Sequence, residues 1–219
     1  SIIMKSTILL IMSSSDVSPI PGMSLETGNL TVDLPDRRAS NMTGGAKIGL
    51  NAFGFDFSTS YFYGREQVPL PVSGHAVMAS AVVPPVLKLD LTLEYPKIHV
   101  VGLDFSGAIG NVGVWGEGAL VIPQGKTVTE IVITTPMGDM PYRDTVLDDE
   151  PFLKGVLGLD YTFKWGIYTQ IQYLRGFIAE MGPDNIGDYV MIAAEKSFLH
   201  DELTLRLAGG IEIREADKV

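Results

Sequence analysis

The amino-acid sequence predicts an all-β protein, specifically a transmembrane antiparallel up-and-down β-barrel, or a large part of one, with about 10 to 12 long strands. Three observations predict this class. Apolar and polar side chains alternate along most segments, these segments are about 9 to 12 residues long, and short connections alternate with long ones. Strands of this length cross a bilayer when they are tilted, whereas strands of soluble proteins are typically about five or six residues long.

The composition excludes several other classes of protein. Of the 219 residues, 46% are hydrophobic and 19% are charged, and none is cysteine, so the chain is neither intrinsically disordered nor a disulfide-rich scaffold. The net charge of −10 removes the basic surface that nucleic-acid binding requires, so we expect no nucleic-acid partner. The longest apolar runs are about five residues, too short for a helix that crosses a membrane.

Two segments show the alternation most clearly. Within 86–95 every second residue from Leu87 to Leu93 is a leucine, and 203–213 repeats the pattern. We expect both rows of leucines to face lipid, because the polar residues between them need water. The predicted strands are 5–12, 44–53, 54–64, 86–95, 97–106, 112–122, 127–135, 153–164, 166–176, 188–198 and 203–213.

The connections between these strands show a second regularity. Long loops at 13–43, 65–85, 136–151 and 177–187 alternate with short turns, and aromatic residues gather near the strand ends. Outer-membrane barrels have short periplasmic turns, long external loops and aromatic girdles. We therefore expect one β-barrel domain over 1–219, in the outer membrane of a Gram-negative bacterium, with its long loops on one side.

The N-terminal segment 1–12 allows two interpretations. Its apolar run, Ile8–Met12, is shorter than the hydrophobic region of a secretion signal, and no small-x-small cleavage pattern follows it cleanly. We expect a strand here, with the remnant of a secretion signal as the alternative. Because the chain opens on Ser1, a processed product or a fragment is also compatible with the sequence.

Several stretches resemble a largely uncharacterised family of Gram-negative, porin-like outer-membrane β-barrel proteins. The stretches are Ser15–Gly22, Phe55–Arg65, Val101–Phe105, Gly158–Phe163 and Glu195–Leu199. The resemblance implies the fold rather than a particular activity. Members of such families are usually longer and end in a strand that closes on a terminal aromatic residue, whereas this chain ends in Arg-Glu-Ala-Asp-Lys-Val. This departure implies missing strands, supplied by another segment or by an oligomer.

The polar faces of the predicted strands provide the candidate functional residues. Charged side chains are costly in a dry core, whereas the wet lumen of a barrel accommodates them. They either hydrate the lumen and pair across strands or form a selectivity ring. The lumen-lining candidates are Lys88, Asp90, Asp104, Glu117, Asp160, Gln170, Gln172, Glu195, Arg206 and Glu212.

No other constellation indicates chemistry. The three histidines lie outside any nucleophile motif, so we predict no catalytic residue, no enzyme activity and no cofactor. The acidic run Asp148, Asp149 and Glu150 is a weak candidate for a hard cation, but it lacks the spacing of the twelve-residue calcium loop. A solvated loop is the simpler interpretation.

These observations predict an outer-membrane channel for passive or substrate-selective passage of small polar solutes. Its expected partners are membrane lipid, lipopolysaccharide and those solutes. One alternative is a structural barrel that serves as an anchor while its loops bind a partner. The second alternative is a soluble periplasmic ligand-binding β-barrel, in which the leucine faces would point inward.

Overall fold

The computed structural model describes residues 24–79, 86–200 and 202–213. The predicted strand at 5–12 lies outside these residues. The strands are β1 (Ser24–Asp33), β2 (Gly44–Ala52), β3 (Phe55–Arg65), β4 (Leu70–Ala79), β5 (Val86–Glu94), β6 (Lys97–Ile109), β7 (Val112–Pro123), β8 (Thr127–Thr135), β9 (Gly138–Leu147), β10 (Phe152–Thr162), β11 (Ile167–Arg175), β12 (Asp188–Phe198) and β13 (Leu203–Ile213).

The fold is all-β, as the alternation predicted. Besides the strands, the described residues form two short 3₁₀ turns, Ala39–Asn41 and Pro183–Asn185. The described part of the chain contains no helix long and apolar enough to cross a membrane. The strands form a five-stranded sheet in the order β1-β5-β4-β8-β9, the small sheet, and an eight-stranded sheet in the order β13-β12-β11-β10-β7-β6-β3-β2, the wide sheet.

The chain divides into two compact units, one per sheet. Among the described residues, the unit with the small sheet comprises 24–42, 65–79, 86–97 and 124–149, and the unit with the wide sheet comprises 43–64, 98–123, 150–200 and 202–213. The prediction of one barrel domain over 1–219 did not anticipate this division. Neither sheet closes on itself within the described residues, so the closed barrel is not present in them.

Three of the predicted long loops contain strands instead. β1 lies within 13–43, β4 within 65–85 and β9 within 136–151. The sequence predicts loops here because these segments carry glycine and proline, which usually mark turns. Pro141 is tolerated in β9 because β9 is an edge strand, where one side of the backbone has no partner.

The wide sheet is an antiparallel meander with two interruptions. The pairs from β7 through β10, β11 and β12 to β13 run antiparallel, as do β2 with β3 and β6 with β7. The turns after β2, β6, β10 and β12 therefore share one end of the sheet, which we call the turn end. The long excursions through β4–β5 and β8–β9 leave from the opposite end, and the predicted turns 95–97 and 123–126 belong to these excursions.

The turn after β2 shows how the sequence fixes the turn end. Phe53 and Gly54 have φ angles of 56° and 79°, which is the left-handed geometry of a two-residue type I′ turn. Such turns match the right-handed twist of paired strands, and glycine adopts this conformation without steric cost. The Phe53 ring projects fully into solvent from this turn.

The small sheet is mixed, which contradicts the prediction of purely antiparallel strands. β1 pairs with β5 and β4 pairs with β8 in parallel, whereas β4–β5 and β8–β9 are antiparallel. Parallel neighbours require crossover connections. Those crossovers pass through strands of the wide sheet, since β2 and β3 follow β1 and β6 and β7 separate β5 from β8.

The core of the small sheet corrects one expected orientation. Leu89, Leu91 and Leu93 are buried together with Ala76 and Ile131, so these leucines do not face lipid. Alternation alone cannot distinguish an apolar face that meets lipid from one that meets a protein core. The leucines of β13, in contrast, are exposed, with Leu205 at 55%.

We predict that the buried leucines stabilise the small sheet far more than its exposed ones. Leu93 is 1% exposed, so Leu93→Ala should lower the free energy of opening by about 2 to 5 kcal/mol through lost burial and a cavity. Leu30→Ala is the matched control in β1, where the side chain is 47% exposed, and should cost less than about 1 kcal/mol. Hydrogen exchange of the β5 amides measures both values, and equal losses would contradict this core.

Candidate functional site: the two faces of the wide sheet

The cross-strand register assigns every residue of the wide sheet to one of two faces. Directly opposed residues share a face, and successive residues of a strand alternate between faces. Leu157, for example, opposes Gly116 on β7 and Tyr173 on β11. β3 and β6 run in opposite directions, because Phe55 lies against Gly107 while Tyr63 lies against His99 at the other end.

One face is apolar across all eight strands and is exposed. Leu153, Leu157 and Leu159 on the central strand β10 are 53%, 49% and 45% exposed. This apolar face also contains Ile48 and Leu50 on β2, Phe57 on β3, Val101 and Leu103 on β6, Leu120 on β7, Ile171 on β11, Ile192 on β12, and Leu203, Leu205, Leu207 and Ile211 on β13.

Aromatic residues lie at both ends of this apolar face. At the turn end, the rings of Phe55 and Phe57 stack at 6.0 Å, and Phe163 contacts both Tyr161 and Trp165 edge-on. At the opposite end of β3, Tyr61 and Tyr63 contact His99, and the Tyr61 hydroxyl lies 2.7 Å from His99 Nδ1. Aliphatic residues occupy the band between the two groups.

The opposite face of the wide sheet is polar and more enclosed. On β10 the polar-face residues Lys154, Val156 and Asp160 are half-buried and Gly158 is buried, although their neighbours on the apolar face are exposed. The predicted lumen candidates found on this face are Asp104, Glu117, Asp160, Gln170, Gln172, Glu195, Arg206 and Glu212.

Lys88 and Asp90 are not part of this group. Both lie on β5 of the small sheet, on the side away from its buried leucines, and Asp90 accepts a hydrogen bond from the backbone N–H of Asn29 at 2.5 Å. They were predicted as lumen candidates because the charged face of β5 has the same alternation as the strands of the wide sheet. Strand pairing places β5 in the small sheet, and the alternation within β5 does not contain that information.

Several charges on the polar face are paired. Lys47 Nζ donates to Asp104 at 2.8 Å, and the Ser58 hydroxyl donates to the same carboxylate. Arg206 and Glu195, which face each other across β12 and β13, are 4.0 Å apart. Such exposed pairs contribute little to stability but fix the positions of the charges.

Two carboxylates on the polar face differ from these paired groups. Glu117 and Asp160 form no ion pair or hydrogen bond with another described residue. Between them lies Trp115, whose indole covers Gly158 so closely that a Cβ there would collide with it. Trp115 is not among the sequence candidates, because an aromatic residue is typical of a core or an interfacial girdle. The signal in the sequence is the spacing: Trp115 and Glu117 are two residues apart in one strand, so they lie on the same face.

The connection from β11 to β12, residues 176–187, also contacts the polar face. Lys154 Nζ donates to the carbonyl oxygens of Phe177 and Ile178 at 2.9 and 3.3 Å. The Tyr189 hydroxyl donates to Glu180, which was not among the sequence candidates. Predicted only as a loop, this segment is thus held by two polar-face side chains.

The histidine that lies beside a threonine hydroxyl is not arranged to activate that hydroxyl. On the small sheet His75 Nε2 lies 3.2 Å from the Thr134 hydroxyl, which donates to Asp139 at 2.7 Å. Since that proton points to Asp139, His75 must donate rather than accept. A base that activates a nucleophile needs the reverse direction of transfer.

The acidic run after β9 is bound by a lysine. Lys126 Nζ lies 3.0 Å from Asp148 and 3.5 Å from Asp149. The hydrogen bond from Lys126 and those involving Asp149 lower the pKa of Asp148 to about 2, and the same contacts raise the pKa of Lys126. Within the residues described, no group of three or more metal-binding side chains is assembled, here or elsewhere.

Comparisons with known proteins leave the family open. No family model matches the chain, and searches of curated proteins and of solved structures found no match. The resemblance to porin-like outer-membrane proteins therefore stays a prediction.

We predict that Lys126 controls the titration of Asp148. The pKa of Asp148 is lowered from 3.8 to about 2, so this contact stabilises the folded chain above about pH 4 and is lost as the pH falls toward 2. Lys126→Met should return the pKa of Asp148 toward its ordinary value in a carboxyl-carbon NMR titration. Lys164→Met, in the turn after β10, is the control and should leave it low. An unchanged pKa in Lys126→Met would refute the pairing.

Proposed function

We propose that the wide sheet forms a transmembrane wall of an outer-membrane channel for small polar solutes, with the apolar face toward lipid and the polar face lining the passage. The observation that carries this proposal is the pair of opposite faces, maintained over eight antiparallel strands. Membrane β-barrels alternate apolar-out and polar-in along each strand, and soluble sheets that stand in water rarely expose such a large apolar surface.

Strand length and aromatic positions support the lipid assignment. All eight strands of the wide sheet have 9 to 13 residues, close to the length that a tilted strand needs to cross a bilayer. Phenylalanine, tyrosine and tryptophan at one end of the apolar face and tyrosine at the other match the aromatic girdles at membrane interfaces. Transfer of the apolar face from water to lipid gains about 25 cal/mol for each Å² removed from water.

The free edges of the wide sheet require partners in a membrane. Among the described residues, β2 and β13 are the edge strands of this sheet, and unpaired backbone groups are costly in hydrocarbon. Because the sheet has an even number of antiparallel strands, β2 and β13 run in opposite directions. Each edge can therefore continue the antiparallel pattern, with the other edge, with strands of another segment or with a second copy.

The polar face favours cations among small solutes. The carboxylates on it are Asp56, Asp104, Glu117, Asp160, Glu195 and Glu212, and the basic residues are Lys47, Lys154 and Arg206. Lys47 and Arg206 are adjacent to carboxylates, while Glu117 and Asp160 keep unpaired negative charge. An excess of acidic groups lowers the potential in a narrow passage and enriches cations.

The small sheet favours a second candidate function. Its strands come from segments on either side of the wide-sheet hairpins and bury their own core, so it is a folded module rather than a set of loops. In that case the wide sheet is an anchor and the small sheet binds a partner. The soluble ligand-binding alternative predicts inward leucines, which the small sheet has but the wide sheet does not.

We predict that a charge is tolerated on one face of the wide sheet and not on the other. Leu157→Arg places a cation in the middle of the apolar face and should destabilise the chain folded in vesicles by about 2 to 4 kcal/mol. Gln172→Arg adds the same group to the polar face, where water is available, and serves as the control. Heat-modifiable migration in detergent reports the folded fraction. Equal tolerance of both variants would rule out the lipid assignment.

The channel itself is tested by reversal potentials in planar bilayers under a salt gradient. We expect cation preference at about 0.1 M salt, where the Debye length is about 10 Å, and a weaker preference at 1 M. The double variant Glu117→Gln with Asp160→Asn should reduce the preference. The control variant Glu130→Gln with Asp139→Asn removes the same charges from the small sheet and should not. A folded chain without conductance would favour the anchor, and anion preference at low salt would contradict the proposed lining.

A further inference from the structure

We propose that the connection 176–187 is a fixed constriction that narrows the passage along the polar face and limits the size of the solutes that pass. This inference rests on the proposed channel function. It is carried by the contacts between this connection and side chains that point from the polar face.

Lys154 makes the first of these contacts. It lies on the polar face of β10, next to the start of the connection, and its ammonium group donates to two successive carbonyl oxygens, those of Phe177 and Ile178. A charged donor gives shorter and stronger bonds than a neutral one. The chain leaving β11 is thus drawn toward the polar side at its first residues.

Glu180 makes the second contact and organises the connection internally. Its Oε2 accepts the backbone N–H groups of Phe177 and Gly187 at 2.9 and 3.0 Å, which brings the two ends of the segment together. Its Oε1 accepts the hydroxyl of Tyr189, which stands on the polar face of β12. The Phe177 ring meets the Tyr189 ring edge-on at 4.5 Å.

On the opposite face, Asp188 accepts hydrogen bonds from Tyr173 and Arg175, so these polar groups are bonded to one another across β11 and β12. The connection is therefore anchored from the polar side, on both flanks of β11. The 4% exposure of Met181 shows that its middle is packed rather than extended into solvent.

The position of these anchors explains how the connection affects the passage. Lys154 and Tyr189 flank β11, so the segment between them lies across the end of the polar face. Asp184, which is exposed within the Pro183–Asn185 turn, then adds a carboxylate at this narrowing. A bulky group attached here should obstruct the passage, and release of the anchors should widen it.

The absence of cysteine from the sequence permits a direct test. Asp184→Cys, labelled with a maleimide-linked polyethylene glycol, should lose most of its single-channel current in planar bilayers. Asn111→Cys, in the turn after β6 at the opposite end of the sheet, is the matched control and should keep its current after labelling. Full current in labelled Asp184→Cys overturns the constriction.

A second test removes the Lys154 and Glu180 contacts that hold the connection. Lys154→Met with Glu180→Gln should raise the single-channel current and admit larger sugars in a vesicle-swelling assay. Lys164→Met with Glu202→Gln makes the same changes at the turn end and should do neither. If the released variant keeps the current and the size limit of the unmodified protein, the constriction is refuted. A folded, unmodified chain that carries no current refutes the channel and the constriction together. If the unmodified chain conducts but neither the label at position 184 nor the loss of the anchors changes the current, only the constriction is refuted.

Discussion

The wide sheet depends on the preservation of cross-strand register. Side chains alternate with a period of two, so a slip of one residue in any strand would exchange its apolar and polar faces. Local packing helps to hold the register. The indole of Trp115 fits over Gly158 on the next strand, and the Asp160 carboxylate lies over Gly113 in the same way. A side chain at either glycine would force the strands apart or the large group out of place.

Alternation predicted the strands of the wide sheet well. β12 and β13 have the predicted bounds, and the other strands of this sheet begin and end within about three residues of theirs. Parity also placed Glu117, Asp160, Gln170 and Gln172 on one polar face, since opposed residues of antiparallel neighbours share a face.

The pattern failed where the neighbours of a strand decide the outcome. The leucines of β5 and β13 alternate alike, but those of β5 meet Ala76 and Ile131 from β4 and β8, and those of β13 have no covering layer among the described residues. Lys88 and Asp90 were misplaced with them. Contacts such as that of Lys47 with Asp104 join residues far apart in the chain, so they depend on which strands become neighbours, and local periodicity does not contain that information.

The interleaving of the two sheets has a consequence for how the chain folds. The small sheet takes its strands from three separate stretches of the chain, and hairpins of the wide sheet lie between them. Its parallel pairs cannot form until the intervening hairpins have been synthesised, and non-local pairing of this kind is slow and leaves apolar edges open to aggregation. Before β8 emerges from the ribosome, Leu89 and Leu91 have no Ile131 to cover them. A chaperone that holds the nascent chain would be most useful during this interval.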